Sequence, residues 1–344
     1  MKRITIRDVA EKAGTSINTV SRALNDKCDV KASTKERILK AAAELNHAPN
    51  STAKHLRTGR SSVLGFITDD ISNLAMISSD FVHGIQDAAY EDSFSVLISD
   101  FQRDPERELR YLEILKHQRV AGVIFCSSRL RESSHKELQE MGVPFVYLHG
   151  YAATDQTDSI VPDNEQGGFT ATRHLLGLGR REIAFVAGKN SFQSSCDRRK
   201  GYENALESYG LAPQPQLIVG GDGWGKASGS AAARELIERD AEFDALFCAS
   251  DMLAAGAMAT LQDSGYSIPD SISVVGFDDR EFAQYVRPAL TTVALPVYEM
   301  GVVATKKLIS KVIGDEAEPA VTKVKCDLVV RASCGAAGKR QGGA

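Results

Sequence analysis

From Val63 onward the sequence alternates short apolar, β-rich runs with amphipathic stretches of helical length, and this alternation narrows the fold more than any other feature. The apolar runs are Val63–Thr68, Phe94–Ser99, Gly122–Cys126, Phe145–Leu148, Ile183–Ala187, Gln216–Val219, Ala245–Cys248 and Ser273–Phe277. Helical periodicity covers Pro105–His117, Gln166–Leu178, Arg199–Tyr209, Ser228–Arg239 and Met252–Gly265 between them. Strands separated by helices pair in parallel, and uninterrupted apolar strands require helices on both faces of the sheet. About a dozen strands would crowd one such sheet, so two similar doubly wound lobes are expected.

The first sixty residues have a different texture. Thr5 can cap a helix beginning at Ile6, which Gly14 closes. Ser16 opens a second helix, Ile17 to Leu24. Ser33-Thr34-Lys35-Glu36 reads as a capping box before a third helix that runs to about Asn46. Val9, Ala10, Val20, Leu24, Ile38, Leu39, Ala42 and Leu45 supply the apolar faces of a small three-helix core. Pro49-Asn50 breaks the pattern, Ser51 to Arg57 forms a short segment, and Thr58 to Ser62 reads as linker.

Charge separates the two parts. Residues 1–60 carry 13 Lys and Arg against 6 Asp and Glu, a net of +7, and the remainder carries 28 against 39, a net of −11. A basic head on an acidic body suits a protein whose one end meets polyphosphate. No apolar run approaches the roughly 18 residues of a membrane span, and the N-terminus lacks an apolar signal core, so a cytoplasmic protein with no membrane partner is expected. The six cysteines form no C-x-x-C pair and sit beside no histidine cluster, which predicts reduced thiols and no bound metal or cofactor. G-x-S-x-G and Walker loops are absent, the seven histidines are dispersed, and no catalytic residue is expected.

Ala13 to Asn25 has the spacing of a helix-turn-helix. Its second helix would present Ile17, Asn18, Ser21, Arg22 and Asn25 outward, with hydroxyls and amides toward phosphates, Arg22 and Asn18 toward base edges and Ile17 toward a thymine methyl. The wording from Thr5-Ile6-Arg7-Asp8-Val9-Ala10 to Thr19-Val20-Ser21-Arg22-Ala23-Leu24-Asn25 closely resembles the lactose-repressor (LacI/GalR) family, and the resemblance extends over essentially the whole chain. It implies a DNA-binding set of Thr5, Ser16, Ile17, Asn18, Thr19, Ser21, Arg22 and Asn25. Residues 47–57 look like that family's hinge helix, which orders on the operator. By that resemblance Leu56 wedges between central base pairs, Ala53 allows close approach and Asn50 contacts backbone. Seven residues are too few for a stable isolated helix in water, which agrees.

The resemblance also implies a core like periplasmic sugar-binding proteins, with an effector in the cleft at the C-terminal ends of strands. Asp278, ending Ser273–Phe277, matches an effector-accepting carboxylate, and Arg198 an arginine that reaches effector oxygens, with Arg199 one position away. Trp224, the only tryptophan, follows a strand beside several glycines and fits a ring stacked on a sugar face, or a packed surface residue. The family often has Asn-Asp where this chain has Ser250-Asp251, and Asp251 fits a helix cap as well. Asp69 and Asn73 are further candidates, although Leu74 stands where the family usually has Pro. Asp163 and Asn164 fit helix caps as well as ligand contacts.

The expected organisation is an all-α head with hinge helix (1–60), a two-lobed periplasmic-binding-protein-like α/β core (61–334) and a disordered tail (335–344). Lobe 1 takes about 61–160 plus 291–320 and lobe 2 about 161–290 plus 321–334. The chain would pass back into lobe 1 near Leu290 to Thr292. The reading is a dimeric, allosteric transcription repressor that binds double-stranded palindromic operator DNA under control of a small-molecule, sugar-type effector. A palindrome needs two heads, hence a homodimer. Without a C-terminal leucine heptad no tetramer is expected. The alternatives are the solute-binding protein of a transporter, against which residues 1–57 argue, and a regulator answering to a protein co-repressor.

Overall fold

A computed structural model describes residues 6–24, 30–45, 61–69, 80–127, 131–150, 157–314 and 318–336. The chain divides into two compact units, Met1–Ser62 and Val63–Ala344.

The first unit is a three-helix cluster of α1 (Ile6–Lys12), α2 (Ile17–Leu24) and α3 (Ala32–Glu44). Gly14 at φ 58° supplies the left-handed turn after α1, and the Thr15 amide reaches back to the Ala10 carbonyl at 3.0 Å. Val9, Ala10, Ala13, Val20, Ala23, Ile38, Ala41 and Ala42 form the core, and Lys12 pairs with Glu44 at 2.9 Å on its surface. Two expectations need correction. The helix α3 starts at Ala32 with Lys31 as an N-cap that gives no side-chain bond, so Ser33 lies inside the helix and forms no capping box. Leu39 is exposed, because the helix turns Ile38 and Ala42 inward instead.

The second unit holds two six-stranded sheets. The first has the order β11-β5-β4-β3-β1-β2, from β1 (Val63–Thr68), β2 (Ser95–Asp100), β3 (Gly122–Cys126), β4 (Phe145–Leu148), β5 (Ser159–Pro162) and β11 (Val321–Val324). The second has the order β12-β10-β9-β8-β6-β7, from β6 (Ile183–Ala187), β7 (Ile218–Gly220), β8 (Ala245–Cys248), β9 (Ser273–Asp278), β10 (Thr291–Ala294) and β12 (Asp327–Val329). Every described pairing is parallel except β10 with β12. Central strands such as Gly122–Cys126 and Ile183–Ala187 are buried throughout, whereas the edge strand Ser95–Asp100 alternates.

The helices of this unit are α4 (Asp80–Glu91), α5 (Pro105–His117), α6 (Glu132–Glu140), α7 (Asn164–Gly177), α8 (Gln193–Ser208), α9 (Lys226–Glu238), α10 (Asp251–Asp263) and α11 (Val297–Ile313). In lobe 1, Ile67, Val123, Phe125 and Tyr147 meet Leu112, Leu115 and Leu138 of α5 and α6, while Phe66, Ile124 and Leu148 face α4 and α11. Three helix pairs, α4 with α11, α7 with α8 and α9 with α10, approach so closely that a Cβ at Gly84, Gly168 or Gly229 would overlap the partner helix's backbone.

The chain crosses between lobes three times: after β5 at Pro162–Asn164, after β10 at Leu295–Pro296, and between β11 and β12 at Lys325–Cys326. This corrects the expected boundaries. Residues 291–294 stay in the second sheet, in register with β9, until Pro296 removes the next ladder donor. Residues 321–324 belong to the first sheet, paired with β5. The crossings are tied together: the Asp163 amide donates to the Val324 carbonyl at 2.7 Å, and the Cys326 amide to Gln166 Oε1 at 3.3 Å.

Candidate functional site

Two sites were expected, one in each unit. In the head, Ser16 Oγ accepts from the Thr19 amide at 3.1 Å and lies 2.8 Å from Thr19 Oγ1, capping α2. The cap fixes which way the helix faces. Val20 and Ala23 point into the core, and Ile17, Asn18 and Arg22 are exposed, with Thr19 half-buried between. An exposed isoleucine beside an amide and a guanidinium suits a surface that meets base edges. Thr5, Asn25, Asn50, Ala53 and Leu56, and the side chain of Ser21, lie outside the described residues.

In the core, the site residues sit at the C-terminal ends of parallel strands. Asp69 follows β1, Trp224 follows β7, Ser250 follows β8 and Asp278 ends β9. Arg198 projects from α8, whose neighbour Gly168 lets the α7 backbone pack against Arg198 itself. Arg198 is 3% exposed. Its Nε donates to Asn164 Oδ1 at 2.9 Å, and its Nη1 to the Ala249 carbonyl at 2.5 Å and Asp278 Oδ1 at 3.3 Å. The guanidinium lies 3.6 Å from the Phe277 ring centroid and 5.7 Å from that of Trp224. Arg199 is exposed and paired with Glu203, so the buried arginine is Arg198.

Asp278 takes a second guanidinium, Arg280 Nε at 3.4 Å. Behind it Asp251 accepts from Thr292 Oγ1 at 2.5 Å and the Arg280 amide at 2.8 Å, and burial together with the nearby Asp278 charge holds its carboxyl well above the usual range. Asp251 is therefore not the helix cap; Ser250 is, accepting from the Leu253 amide at 3.2 Å and donating to the Trp224 carbonyl at 3.3 Å. Trp224 is half-buried, its ring over Gly188 and edge-on to Phe192 at 6.1 Å. Asp163 caps α7 through the Gln166 amide, while Asn164 serves Arg198.

Two residues beside this cluster escaped the sequence reading. His149 directly follows β4, and its Nδ1 is buried without a hydrogen-bond partner among the described residues. Its ring packs edge-on against Phe81 at 5.8 Å. Burial pulls its pKa down to about 4; Arg198 adds to this, Asp278 opposes it and Arg280 adds again, so the ring is neutral near pH 7. Arg280 stands two residues after Asp278. The strand-end rule that selected Asp278 would have found both. His149, Asp278 and Asp279 also take positive φ, at 68°, 118° and 54°, conformations uncommon for non-glycine residues.

A cavity of about 480 Å³ opens in lobe 1, lined by Asp69, Phe101, Arg103, Glu108, Ser127, Arg131 and Glu132. Asp69 accepts from Ser127 Oγ at 3.1 Å there and, among the expected core residues that are described, is the only one that lines it. Asn73 lies outside the described residues. Among the described residues no cluster of His, Cys, Asp and Glu could hold a metal, and no helix is long and apolar enough to cross a membrane.

A helix-turn-helix head on a two-lobed binding core, with charged side chains gathered at its strand ends, defines a class of ligand-responsive regulators. Residues 5–50 match the family described as bacterial regulatory proteins, lacI family, and residues 172–334 match a periplasmic binding protein-like domain. The catabolite control protein A of Priestia megaterium is 34% identical over 89% of this chain and 91% of its own. A solved lac repressor dimer bound to operator and the anti-inducer ONPF is 30% identical, covers 97% of this chain and 99% of its own, and superposes with a TM-score of 0.78. A complex of the transcriptional regulator CelR with cellobiose is 31% identical over 96% of this chain and all of its own, with a TM-score of 0.72. The chain belongs to the lacI family of bacterial regulatory proteins.

Proposed function

We propose that this protein is a transcription repressor that binds palindromic operator DNA as a homodimer and yields to a sugar-type effector held between its two core lobes. The observation that carries the reading is the buried Arg198–Asp278 pair at the strand ends, with Asn164 and Trp224 against it. A buried charged pair at the C-terminal ends of parallel strands, where ligands of open α/β sheets bind, is a candidate binding site. Solved relatives bound to operator and to cellobiose support the two halves of the proposal.

The mechanism is linkage. Arg198 bonds Asn164, the residue at which the chain has just crossed into lobe 2. An effector that draws on Arg198 and Asp278 therefore acts beside the crossing segments and shifts lobe closure. That shift changes operator affinity through a coupling of roughly 1–3 kcal/mol. Ile17, Asn18 and Arg22 read bases, while Ser16 and Thr19 position the helix on phosphates.

The test is salt-dependent binding to palindromic duplexes with and without metabolites. Arg22→Ala should abolish preference over random duplex while the core's melting temperature is unchanged. Asp278→Ala should keep DNA binding and lose the metabolite response. No preference for any palindromic duplex in the unmodified protein would end the proposal.

A further inference from the structure

The loop between β7 and α9 is held by very little. Gly220 and Gly221 turn the chain out of β7 at φ 82° and 110°, and Gly223 and Gly225 flank Trp224. Glycines on both sides leave such a backbone many conformations. Among the described residues, Asp222, Gly223 and Trp224 make one hydrogen bond between them: the Trp224 carbonyl accepts from Ser250 Oγ at 3.3 Å. The indole is placed by packing. It lies over Gly188, where a Cβ would come within 2.3 Å of the ring, and edge-on to Phe192, with the Arg198 guanidinium 5.7 Å from its centroid.

A serine hydroxyl carries one hydrogen and two lone pairs. Ser250 spends the hydrogen on the Trp224 carbonyl and a lone pair on the Leu253 amide at 3.2 Å. No hydrogen is left for a ligand, and the residue is buried. Ser250 thus stands where an effector contact was expected, with its donor committed to the neighbouring loop. We propose that Ser250 is a positioning residue for Trp224. It fixes the backbone end of the indole while Gly188 and Phe192 fix the ring, and so sets the face that Trp224 presents beside Arg198, without touching a ligand itself. Because the same hydroxyl caps α10, the loop and the first turn of that helix are joined through one oxygen. The inference rests on the effector site proposed above for what the ring does, and on this geometry alone for how the ring is held.

Trp224 is the only tryptophan in the chain, so acrylamide quenching of the full-length protein reports on it alone and without ligand. Ser250→Gly removes the hydroxyl at little cost to a helix N-cap, and Ser250→Ala removes both the bond and the cap. Both should raise the quenching constant roughly twofold by freeing the loop. Ser250→Thr restores the hydroxyl and should hold the unmodified value. Asp104→Ala, which removes the side-chain cap of α5 in lobe 1, controls for a lost cap as such and should leave Trp224 unchanged. Unchanged quenching in Ser250→Gly, or an equal rise in Asp104→Ala, overturns the proposal. Titration with cellobiose, glucose and ribose then tests the consequence. A sugar that perturbs Trp224 in the unmodified protein should bind about fivefold or more weakly to Ser250→Gly, because the ring is no longer pre-organised. Undiminished affinity with a freed ring overturns the positioning role. Silence from every sugar in the unmodified protein counts against the effector reading, while the ligand-free quenching still decides how Trp224 is held.

Discussion

Replacing Arg198 by methionine separates a structural account of this cluster from a purely ligand-facing one, because the effect is read without ligand. The substitution keeps most of the aliphatic volume over Phe277 and removes three contacts: to Asn164 Oδ1, the Ala249 carbonyl and Asp278 Oδ1. Removing one partner of a buried ion pair costs about 3–5 kcal/mol, since the other charge stays buried. Arg280 still serves Asp278 here, which favours the low end, while the orphaned Ala249 carbonyl adds to the cost. About 3–4 kcal/mol is expected, a drop in the core's melting temperature of roughly 6–10 °C. Urea and thermal unfolding followed by Trp224 fluorescence measure it. Adding Asp278→Asn should recover part of the loss, with a coupling of about 1 kcal/mol or more in the double-mutant cycle. A loss below about 1 kcal/mol, or strictly additive single variants, would show that water satisfies Arg198 and that the network does not hold the site.

Two further outcomes follow from the same geometry. Ser250→Ala removes the cap of α10 and the bond to the Trp224 carbonyl, and should cost about 1 kcal/mol in urea unfolding; an unchanged midpoint would mean that water replaces the cap. His149 holds its folded-state pKa near 4 against an ordinary 6.5. The unfolded chain therefore takes up a proton first as pH falls, and stability should drop between about pH 6.5 and 4 by up to about 3 kcal/mol. His149→Gln should flatten that part of the profile in melts from pH 7 to 4, and an unaltered profile would refute the assignment.

How much was legible in advance depended on whether local sequence or distant packing decides a feature. Val63–Thr68, Gly122–Cys126, Phe145–Leu148, Ile183–Ala187, Ala245–Cys248 and Pro105–His117 stand where their composition placed them, because central parallel strands and a Pro-led, Asp-capped helix declare themselves locally. Helix α8 begins at Gln193, six residues before the periodicity at Arg199, because its first turn carries polar Gln, Ser and Asp with little apolar signal. The short strands at 291–294, 321–324 and 327–329 carry no local signal of which lobe they join. Their pairing is fixed by which edge each sheet leaves open, and no local pattern encodes that. At the site, Arg198, Trp224, Ser250 and Asp278 lie near one another, but Ser250 takes the cap foreseen for Asp251, which is buried behind Asp278 instead. Cap identity depends on backbone placement to within one residue, finer than periodicity resolves.

The cluster's bonds to the crossing segments bear on how a ligand would be felt at a distance. A bound molecule moves an equilibrium only through contacts that differ between two states. Arg198 touches Asn164 at the first crossing, and Asp278 holds the Leu295 amide at the second through its carbonyl at 3.5 Å. The third crossing is tied to the first by the Asp163–Val324 bond. The residues proposed to offer charge to a ligand thus also contact two of the three crossing segments, and the third is tied to the first. A ligand that engages only Trp224 touches none of those segments and should bind without a response, whereas one that competes for the Arg198 guanidinium should disturb its bond to Asn164 at the first crossing.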